Sequence, residues 1–227
     1  MSRHGKKHID ISKKLSGEVY ELDNAVQFLR ENPAAKFDES VELAVRTGVD
    51  TAKSDQSVRG TVSLPFGTGK KVRVAVFANG PAAEAATAAG ADHVGFEDLI
   101  EKVKGGWLDF DVAVATPEAM KELRKLGKIL GPRGLMPNPK TGTVTDDTAS
   151  AVTQCKAGRV EFRMDKNGNV QLPIGKLSFA VESLVGNANT ALDAIRAQRP
   201  SSLKGPFFKS CTLSSTMGVG LRVNVQG

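Results

Sequence analysis

Apolar and polar residues alternate near both ends of this chain with the two-residue period of a half-buried β-strand. Residues 40–47 are apolar at positions 41, 43 and 45 and polar or small between them. Residues 60–65, 209–214 and 220–225 show shorter versions of the same pattern. Each of these four segments is therefore predicted to be a strand with one face in a core.

A hairpin and two helices are predicted beside these strands. Residues 159–164 and 169–174 alternate on either side of an Asn-Gly pair, which is favoured in the tight turn between two paired strands. Residues 24–31 and 181–199 have apolar residues at helical spacing and are followed by prolines, which end helices. Residues 1–20 are basic and polar, and we expect a loosely ordered arm with one helical turn.

The middle of the chain has a different pattern, in which short apolar runs alternate with helical segments. Such runs are typical of parallel strands that are covered on both faces. The predicted strands are residues 72–77 and 112–115, and the predicted helices are residues 81–89, 97–104 and 146–156, with a further helix that has Pro117 at its first position.

This change of pattern predicts two domains and a fold class that combines α/β and α+β structure. Residues 1–69 and 157–227 hold about five or six strands and two helices between them, and neither end has enough strands for a stable sheet alone. We therefore expect the two ends to fold together into one discontinuous α+β domain. Residues 70–156 are expected to form an inserted α/β domain.

Charge narrows the classes of partner. The formal net charge is +6, and residues 70–156, with 12 Lys and Arg against 11 Asp and Glu, contribute only +1 of it. The basic excess lies in the two ends of the chain, where it favours a polyanion such as nucleic acid. Scatter over a solvated surface explains the charge equally well at this point.

The sequence lacks the signals of several other classes. Cys155 and Cys211 form no CxxC pair, which argues against a zinc site or disulfide framework and for two buried thiols in a reducing compartment. No apolar run approaches the ~20 residues that span a bilayer, and the N-terminus has no apolar core typical of a secretory signal. We expect a cytoplasmic protein with no membrane contact, no metal and no cofactor.

Three glycine-containing segments are candidates for function. Residues 67–70 (Gly-Thr-Gly-Lys) are similar to a phosphate-binding loop, but Leu64 and Lys71 stand where that motif needs Gly and Ser or Thr, so a connection between domains is favoured. Residues 131–144 hold three prolines and three glycines, typical of either a functional loop or a packed connection. Residues 214–218 (Ser-Ser-Thr-Met-Gly) either approach RNA closely or form an ordinary turn.

No recognisable arrangement of catalytic residues is present in the sequence. His4, His8 and His93 belong to no metal-binding or nucleophile motif. Asp109 and Asp111 precede a predicted strand, where a metal pair is conceivable and a solvated strand entry is favoured. We therefore do not expect an enzyme.

Five parts of the sequence resemble the family of ribosomal protein L-one, the stalk protein of the large subunit. They are residues 35–43 (AKFDESVEL), residues 53–56 with 59–62 (KSDQ and RGTV), residues 105–111 (GGWLDFD), residues 131–140 (GPRGLMPNPK) and residues 214–218 (SSTMG). The resemblance covers nearly the whole chain in the right order, and the length is similar to that of the bacterial form.

This resemblance implies a fold and a function. The family combines a split α+β domain from both chain ends with an inserted Rossmann-like, three-layer α/β domain. It implies a cytoplasmic, ribosome-bound structural protein, monomeric when free, that binds large-subunit rRNA and forms a mobile stalk near the tRNA exit site. It also implies that the protein assists release of deacylated tRNA and represses translation of its own operon mRNA, which mimics the rRNA site.

The resemblance further implies an RNA-binding surface. Carried over position by position, this surface comprises Lys36, Phe37, Ser40, Glu42, Lys53, Asp165, Lys166, Asn169, Ser210, Thr216, Met217 and Gly218. Arg133 and Lys140 would make a secondary RNA contact. Ser40 stands where many relatives have Thr, and it keeps the hydroxyl group. Phe37 is expected to stack or wedge against Met217, and the alternative for Phe37 is a place in the core.

Two functions of other classes remain open at this point. A nucleotide-dependent enzyme would use the inserted α/β domain and would bind NTP. A general nucleic-acid chaperone would bind unrelated RNAs with similar affinity at matched salt concentration.

Overall fold

The structure is a computed structural model that describes residues 5–15, 17, 19–51 and 56–225, with the backbone alone at residue 140. Its contacts divide the chain into two compact units. The discontinuous unit comprises residues 1–69 and 160–227, and the inserted unit comprises residues 70–159. Both contain helices and strands, so the prediction of a mixed fold class of helices and sheets is confirmed.

Eight α-helices and nine strands lie within the described residues. The helices are α1 (Lys6–Ser12), α2 (Leu22–Glu31), α3 (Pro81–Ala88), α4 (Glu97–Lys104), α5 (Ala119–Leu123), α6 (Gly127–Leu130), α7 (Thr148–Lys156) and α8 (Val181–Ala197). The strands are β1 (Ser40–Thr47), β2 (Arg59–Ser63), β3 (Val74–Phe77), β4 (His93–Gly95), β5 (Val112–Ala115), β6 (Arg159–Arg163), β7 (Asn169–Lys176), β8 (Phe208–Ser215) and β9 (Leu221–Val223). Short 3-10 helices lie at Arg124–Leu126 and Pro139–Thr141.

A four-stranded sheet in the order β7-β1-β8-β9 forms the centre of the discontinuous unit. β1 is antiparallel to both of its neighbours, and β8 is antiparallel to β9. The bounds of β1 are those that the alternation predicted, and Val41, Leu43 and Val45 are fully buried. One face of this sheet therefore belongs to the core.

Two helices cover that face. α8 contacts β7 and β2, while α2 contacts α8, β8 and β9. α2 buries Leu22, Ala25, Val26 and Leu29, which recur at helical spacing and place one side of the helix against the sheet. The opposite face of the sheet carries the even-numbered residues of β1 and is the one on which the candidate site lies.

The predicted hairpin at residues 159–174 is wrong, although its turn is present. Gly168 has a φ of +81°, and the Asp165 N–H donates to the Asn169 carbonyl oxygen at 2.8 Å. The flanking strands nevertheless take other partners, since β6 pairs with β2 and β7 pairs with β1. A single bridge from Met164 to Val170 joins the two sides of the turn in the described residues. The apolar positions of β7 match those of β1, and burying both sets together outweighs the local pairing.

The inserted unit has a parallel three-stranded sheet in the order β4-β3-β5. Val74 and Val76 of β3 belong to one buried cluster, which includes residues of α3 and α7. Ala75 and Phe77 belong to a second cluster, which includes residues of α4, α5 and α6. The two faces of β3 are thus both buried, as its continuous apolar sequence predicts.

One helix start in the inserted unit differs from the prediction. α5 begins at Ala119, and residues 117 and 118 form a turn before it. The Ala119 N–H donates to the Thr116 hydroxyl at 3.3 Å, so the side chain that meets the start of the helix belongs to the residue before Pro117.

Both cysteines are buried, as the sequence predicts. Burial raises the pKa of Cys211 to about 12 and also raises that of Cys155. The two thiols lie in different units, Cys211 on β8 and Cys155 on α7.

A buried amide anchors the last residues of the discontinuous unit before the inserted one. The Phe66 N–H donates to Asn187 Oδ1 at 3.1 Å. Asn187 Nδ2 donates to the carbonyl oxygens of Gly67 at 3.0 Å and Ile174 at 2.7 Å. Gly67 has a φ of +67°, which favours glycine. This single side chain therefore ties residues 66–67 to α8 and β7.

We expect Asn187→Ala to lower the free energy of unfolding of the discontinuous unit by about 1–3 kcal/mol, because three backbone groups lose their partner and one of them, the Ile174 carbonyl oxygen, is buried. Urea denaturation followed by circular dichroism measures the change. Asn189→Ala is the matched control, since Asn189 is exposed on the same helix and its loss should cost less than about 0.5 kcal/mol. Equal effects of the two variants would contradict the assignment.

Candidate nucleic-acid interface

The candidate interface begins with the outward face of β1. Ser40, Glu42, Ala44 and Arg46 are exposed or half-buried, while the residues between them are buried. Residues directly opposite in an antiparallel pair share a face. The opposite residues are Lys176, Pro173, Gln171 and Asn169 on β7, and Ser214, Thr212 and Ser210 on β8, with Arg222 of β9 opposite Thr212. We call this set, together with the outward residues of β1, the open face.

The open face is polar and carries more positive than negative charge. Arg46 and Arg222 are exposed, and Lys176 is half-buried. Glu42 is the acidic residue among the open-face positions. Such a face suits a polyanion that also presents hydrogen-bonding groups.

The residues predicted from the family resemblance lie at both ends of β1. Ser40 is at one end, beside Thr216, and Arg46 at the other is opposite Asn169 and Ser210. Ser40 and Arg46 are six residue steps apart along the strand, which corresponds to about 20 Å. Of the predicted residues, the structure thus places Ser40, Glu42, Asn169 and Ser210 on one sheet, with Glu42 between the two ends of β1.

Two large apolar side chains near Ser40 are exposed. Phe37 is 58% exposed and Met217 is 59% exposed, so the core alternative for Phe37 is excluded. The neighbouring Lys36 is also exposed. Exposed apolar side chains of this size, rimmed by polar groups, are typical of contact surfaces.

Thr216 forms hydrogen bonds with Ser40, the first residue of β1. The Ser40 N–H donates to Thr216 Oγ1 at 3.0 Å, and the Thr216 N–H donates to the Ser40 carbonyl oxygen at 3.0 Å. The Thr216 hydroxyl lies 3.3 Å from the same carbonyl oxygen, and Lys176 Nζ donates to Ser40 Oγ at 2.9 Å. The bonds between Ser40 and Thr216 join residues 176 positions apart, and the side chain of Thr216 stays exposed.

A buried carboxylate lies beneath this junction. Glu39 is 0% exposed. Its Oε1 accepts the Ala35 N–H at 2.7 Å, and its Oε2 accepts the Ser215 hydroxyl at 2.7 Å and the Met217 N–H at 3.0 Å. Burial by itself raises the pKa of Glu39, but the hydrogen bonds from Met217, Ala35 and Ser215 outweigh it and hold the pKa below the ordinary value. Glu39 is therefore an anion whose charge is balanced by hydrogen-bond donors.

Gly218 is required by the same network. A Cβ atom at this position would lie well inside van der Waals contact of Ser215 Oγ, the hydroxyl that donates to Glu39. The φ of Gly218 is not positive, so the backbone conformation itself is open to other residues. Space beside Ser215, and not backbone freedom, explains the glycine.

The second group of predicted residues is built around the turn that follows β6. Asp165 Oδ1 accepts the N–H groups of Asn167 and Asn169, each at 2.8 Å, and Oδ2 accepts Asn169 Nδ2 at 3.1 Å. The backbone N–H of Asn169 is the largest cause that holds the pKa of Asp165 below its ordinary value. Asp165 shapes this turn, on which Lys166 is exposed.

Some predicted residues lie elsewhere. Lys53 and the side chain of Lys140 fall outside the described residues. Arg133 is exposed on the inserted unit, at the start of the loop of residues 131–144. That loop is held by internal bonds, among them the Asn138 N–H to Thr143 Oγ1 at 2.8 Å. These bonds favour the packed connection and leave Arg133 at its surface.

Sequence reasoning missed four residues of the interface. The alternation of β1 places Arg46 on its outward face, and the alternation of the last strand does the same for Arg222, so both could have been predicted from the sequence. Lys176 lies opposite Ser40 because the pairing of β1 with β7 shifts between Val41 and Glu42. Strict alternation along β7 would therefore place Lys176 on the other face of the sheet. Glu39 gave no signal, because a carboxylate beside a strand is ordinarily solvated.

The described part of the chain has neither a metal-binding cluster nor a membrane-spanning helix. No group of three or more His, Cys, Asp and Glu side chains there could hold a metal ion. Asp111 is instead paired with Arg73, with the Nε and Oδ2 atoms 3.2 Å apart. No helix among the described residues is long and apolar enough to cross a membrane.

Comparison with known proteins gives one family. The model of the ribosomal protein L1p/L10e family matches residues 29–219. A large ribosomal subunit protein uL1 from Thermosipho melanesiensis is 53% identical over 226 residues, which cover 99% of this chain and 97% of the relative. A protein of the same description from Lactobacillus delbrueckii subsp. bulgaricus is 49% identical over 225 residues, with 99% and 97% covered.

We expect Gly218→Ala to lower the free energy of unfolding by about 1–3 kcal/mol, because the added methyl group displaces the Ser215 hydroxyl from Glu39. In a Ser215→Ala background most of that cost should disappear, since the next contact of the new Cβ is Ser215 Cβ at an ordinary 3.5 Å. Urea denaturation of the two single variants and the double variant measures this coupling.

Gly127→Ala provides the control for this cycle. A Cβ at Gly127 meets nothing within 4 Å, so the protein should be unchanged or slightly stabilised. Additive costs of Gly218→Ala and Ser215→Ala would contradict the steric explanation.

Proposed function

Because this chain belongs to the ribosomal protein L1p/L10e family, we propose that it is a structural protein of the large ribosomal subunit that binds rRNA through the open face and the adjoining residues 36–40 and 216–218. The observation that carries the proposal is the joining of these two segments, from opposite ends of the chain, beside one polar sheet face. RNA is recognised through shape, 2′-hydroxyls and unstacked bases, and this surface offers a partner for each.

The chemistry at the Ser40 end of the surface supports specific recognition. Thr216 has a hydroxyl group that can donate to a 2′-hydroxyl or a phosphate and, beside the Ser40 N–H that it already accepts, can accept from a 2′-hydroxyl. Phe37 has an exposed ring on which a base or ribose can pack, and Met217 adds a polarisable apolar side chain. Glu42 is an acceptor for exocyclic amino groups and 2′-hydroxyls.

The chemistry at the Arg46 end supports affinity. Arg46 and Lys166 are exposed, and Ser210 and Asn169 lie opposite Arg46 on the neighbouring strands. Cations here would contact phosphates, which position RNA and strengthen binding without reading its sequence. Lys53, Arg133 and Lys140 are proposed as further phosphate contacts.

Finer roles follow from the same family membership. Residues 1–69 and 157–227 are proposed to form the split α+β domain and residues 70–156 the inserted Rossmann-like domain, with the second boundary three residues before that of the two compact units. The protein is proposed to form a mobile stalk near the tRNA exit site, to assist release of deacylated tRNA and to repress its own operon mRNA. It is further proposed to be monomeric when free.

The experiment that tests the function is footprinting of the purified protein on large-subunit rRNA, with affinities for that RNA and for a structured RNA of equal length and unrelated sequence. We expect one protected region and a strong preference for it at matched salt. Equal affinity for both RNAs would favour a general chaperone instead. A rise in melting temperature with NTP, and none with rRNA, would favour a nucleotide-dependent enzyme.

We expect Thr216→Val to cost about 1–3 kcal/mol of specific rRNA affinity, because valine keeps the shape of threonine and removes the hydroxyl. Filter binding or calorimetry measures the loss, and circular dichroism checks that the variant is folded. Thr216→Ser keeps the hydroxyl and should bind nearly as well as the unaltered protein. A folded Thr216→Val variant with unchanged affinity would remove Thr216 from the site.

A further inference from the structure

Glu39 is an unusual residue for the interior of a protein. Among the residues that the structure describes, it is the one charged side chain in the buried set. No Lys, Arg or His within the described residues forms an ion pair with it. A buried anion is costly unless hydrogen bonds replace its hydration, so this carboxylate depends on its donors.

Those donors come from both segments of the proposed interface. The Ala35 N–H belongs to the segment that leads to Phe37, and the Ser215 hydroxyl and Met217 N–H belong to the segment that carries Thr216. The two segments are 176–178 residues apart in sequence at these contacts. One carboxylate therefore links both segments, in addition to the hydrogen bonds between Ser40 and Thr216.

An apolar side chain would fill the same space without the cost of burying a charge. It could not accept the Met217 N–H, the Ala35 N–H and the Ser215 hydroxyl, so the two segments would keep no common anchor at this point. What the carboxylate provides is a defined geometry for side chains that point outward.

We propose that Glu39 is a positioning residue of the interface, which holds residues 35–37 and 215–217 in the arrangement that binds RNA and does not touch the RNA itself. This inference rests on the proposed function. Its physical basis is preorganisation: when only a fraction of molecules has the binding arrangement, the apparent dissociation constant rises by the inverse of that fraction. Without the Glu39 carboxylate the same interface residues would be present, but a smaller fraction of molecules would hold them in the arrangement that binds RNA.

The deciding variant is Glu39→Gln, which keeps the size of the side chain and replaces one acceptor oxygen with an NH₂ group. Each carboxylate oxygen accepts a backbone N–H, so either orientation of the amide sets the NH₂ against a donor. The measurements are the dissociation constants for large-subunit rRNA and for an unrelated structured RNA, each at several salt concentrations. All are made at a temperature where circular dichroism shows every variant fully folded.

We expect specific affinity to fall on the order of 10- to 100-fold in Glu39→Gln, the scale of leaving a buried donor unsatisfied. The dependence of log K on log salt should keep its slope, because the same phosphates are neutralised. Affinity for the unrelated RNA should also be unchanged. Glu182→Gln is the matched control, since it removes the same charge from an exposed position on α8 and should bind rRNA as the unaltered protein does.

A residue with a merely structural role would lower the melting temperature and leave the affinity of the folded protein unchanged, and that result overturns the proposal. An equal loss of affinity for both RNAs, or a changed slope of log K against log salt, also overturns it, because Glu39 would then act through charge.

If Glu39→Gln does not fold, the Ser215→Ala variant tests the proposal instead, because it removes one of the donors to Glu39. Weaker specific binding at an unchanged salt slope supports the proposal, and unaltered binding refutes it. If the unaltered protein does not prefer large-subunit rRNA, the proposed function itself fails.

Discussion

The discontinuous unit depends on the pairing of β1 with two strands from the last third of the chain. β1 lies between β7 and β8, and these neighbours supply the hydrogen-bond partners for its backbone along both edges. The same pairing buries Val41, Leu43 and Val45 against α2 and α8 and turns the residues between them outward. Core and candidate interface are therefore the two faces of one sheet, and neither can form without the other.

The buried charge at the end of this sheet affects the surface above it. Glu39 is balanced by N–H and O–H donors, so no cation of the described residues is drawn inward to pair with it. Arg46 and Arg222 are exposed on the open face. The buried carboxylate with its donors fixes a shape, and the exposed cations attract a polyanion, so these two tasks fall to different residues.

The alternation of apolar and polar residues predicted which face of a strand is buried better than it predicted which strands pair. The bounds of β1 and the burial of its odd positions followed directly from the alternation, because a strand's two sides are set by its own sequence. The partner of β7 did not follow, since the same apolar positions of β7 fit either a local or a distant strand. The family motifs led to Thr216 and Gly218, whereas the role of Glu39 needed coordinates, because no sequence pattern distinguishes a buried carboxylate from a solvated one.

The distance in sequence between the paired strands also governs when the structure can form. Contacts of β1 with β8 close a loop of more than 160 residues, and such contacts form slowly. The inserted unit, residues 70–159, is contiguous in sequence and can fold while the later strands are still being synthesised. Until residues 208–215 have emerged, the edge of β1 that pairs with β8 stays without its partner and is exposed to aggregation. The nascent chain therefore forms the candidate interface as one of the last events of its folding.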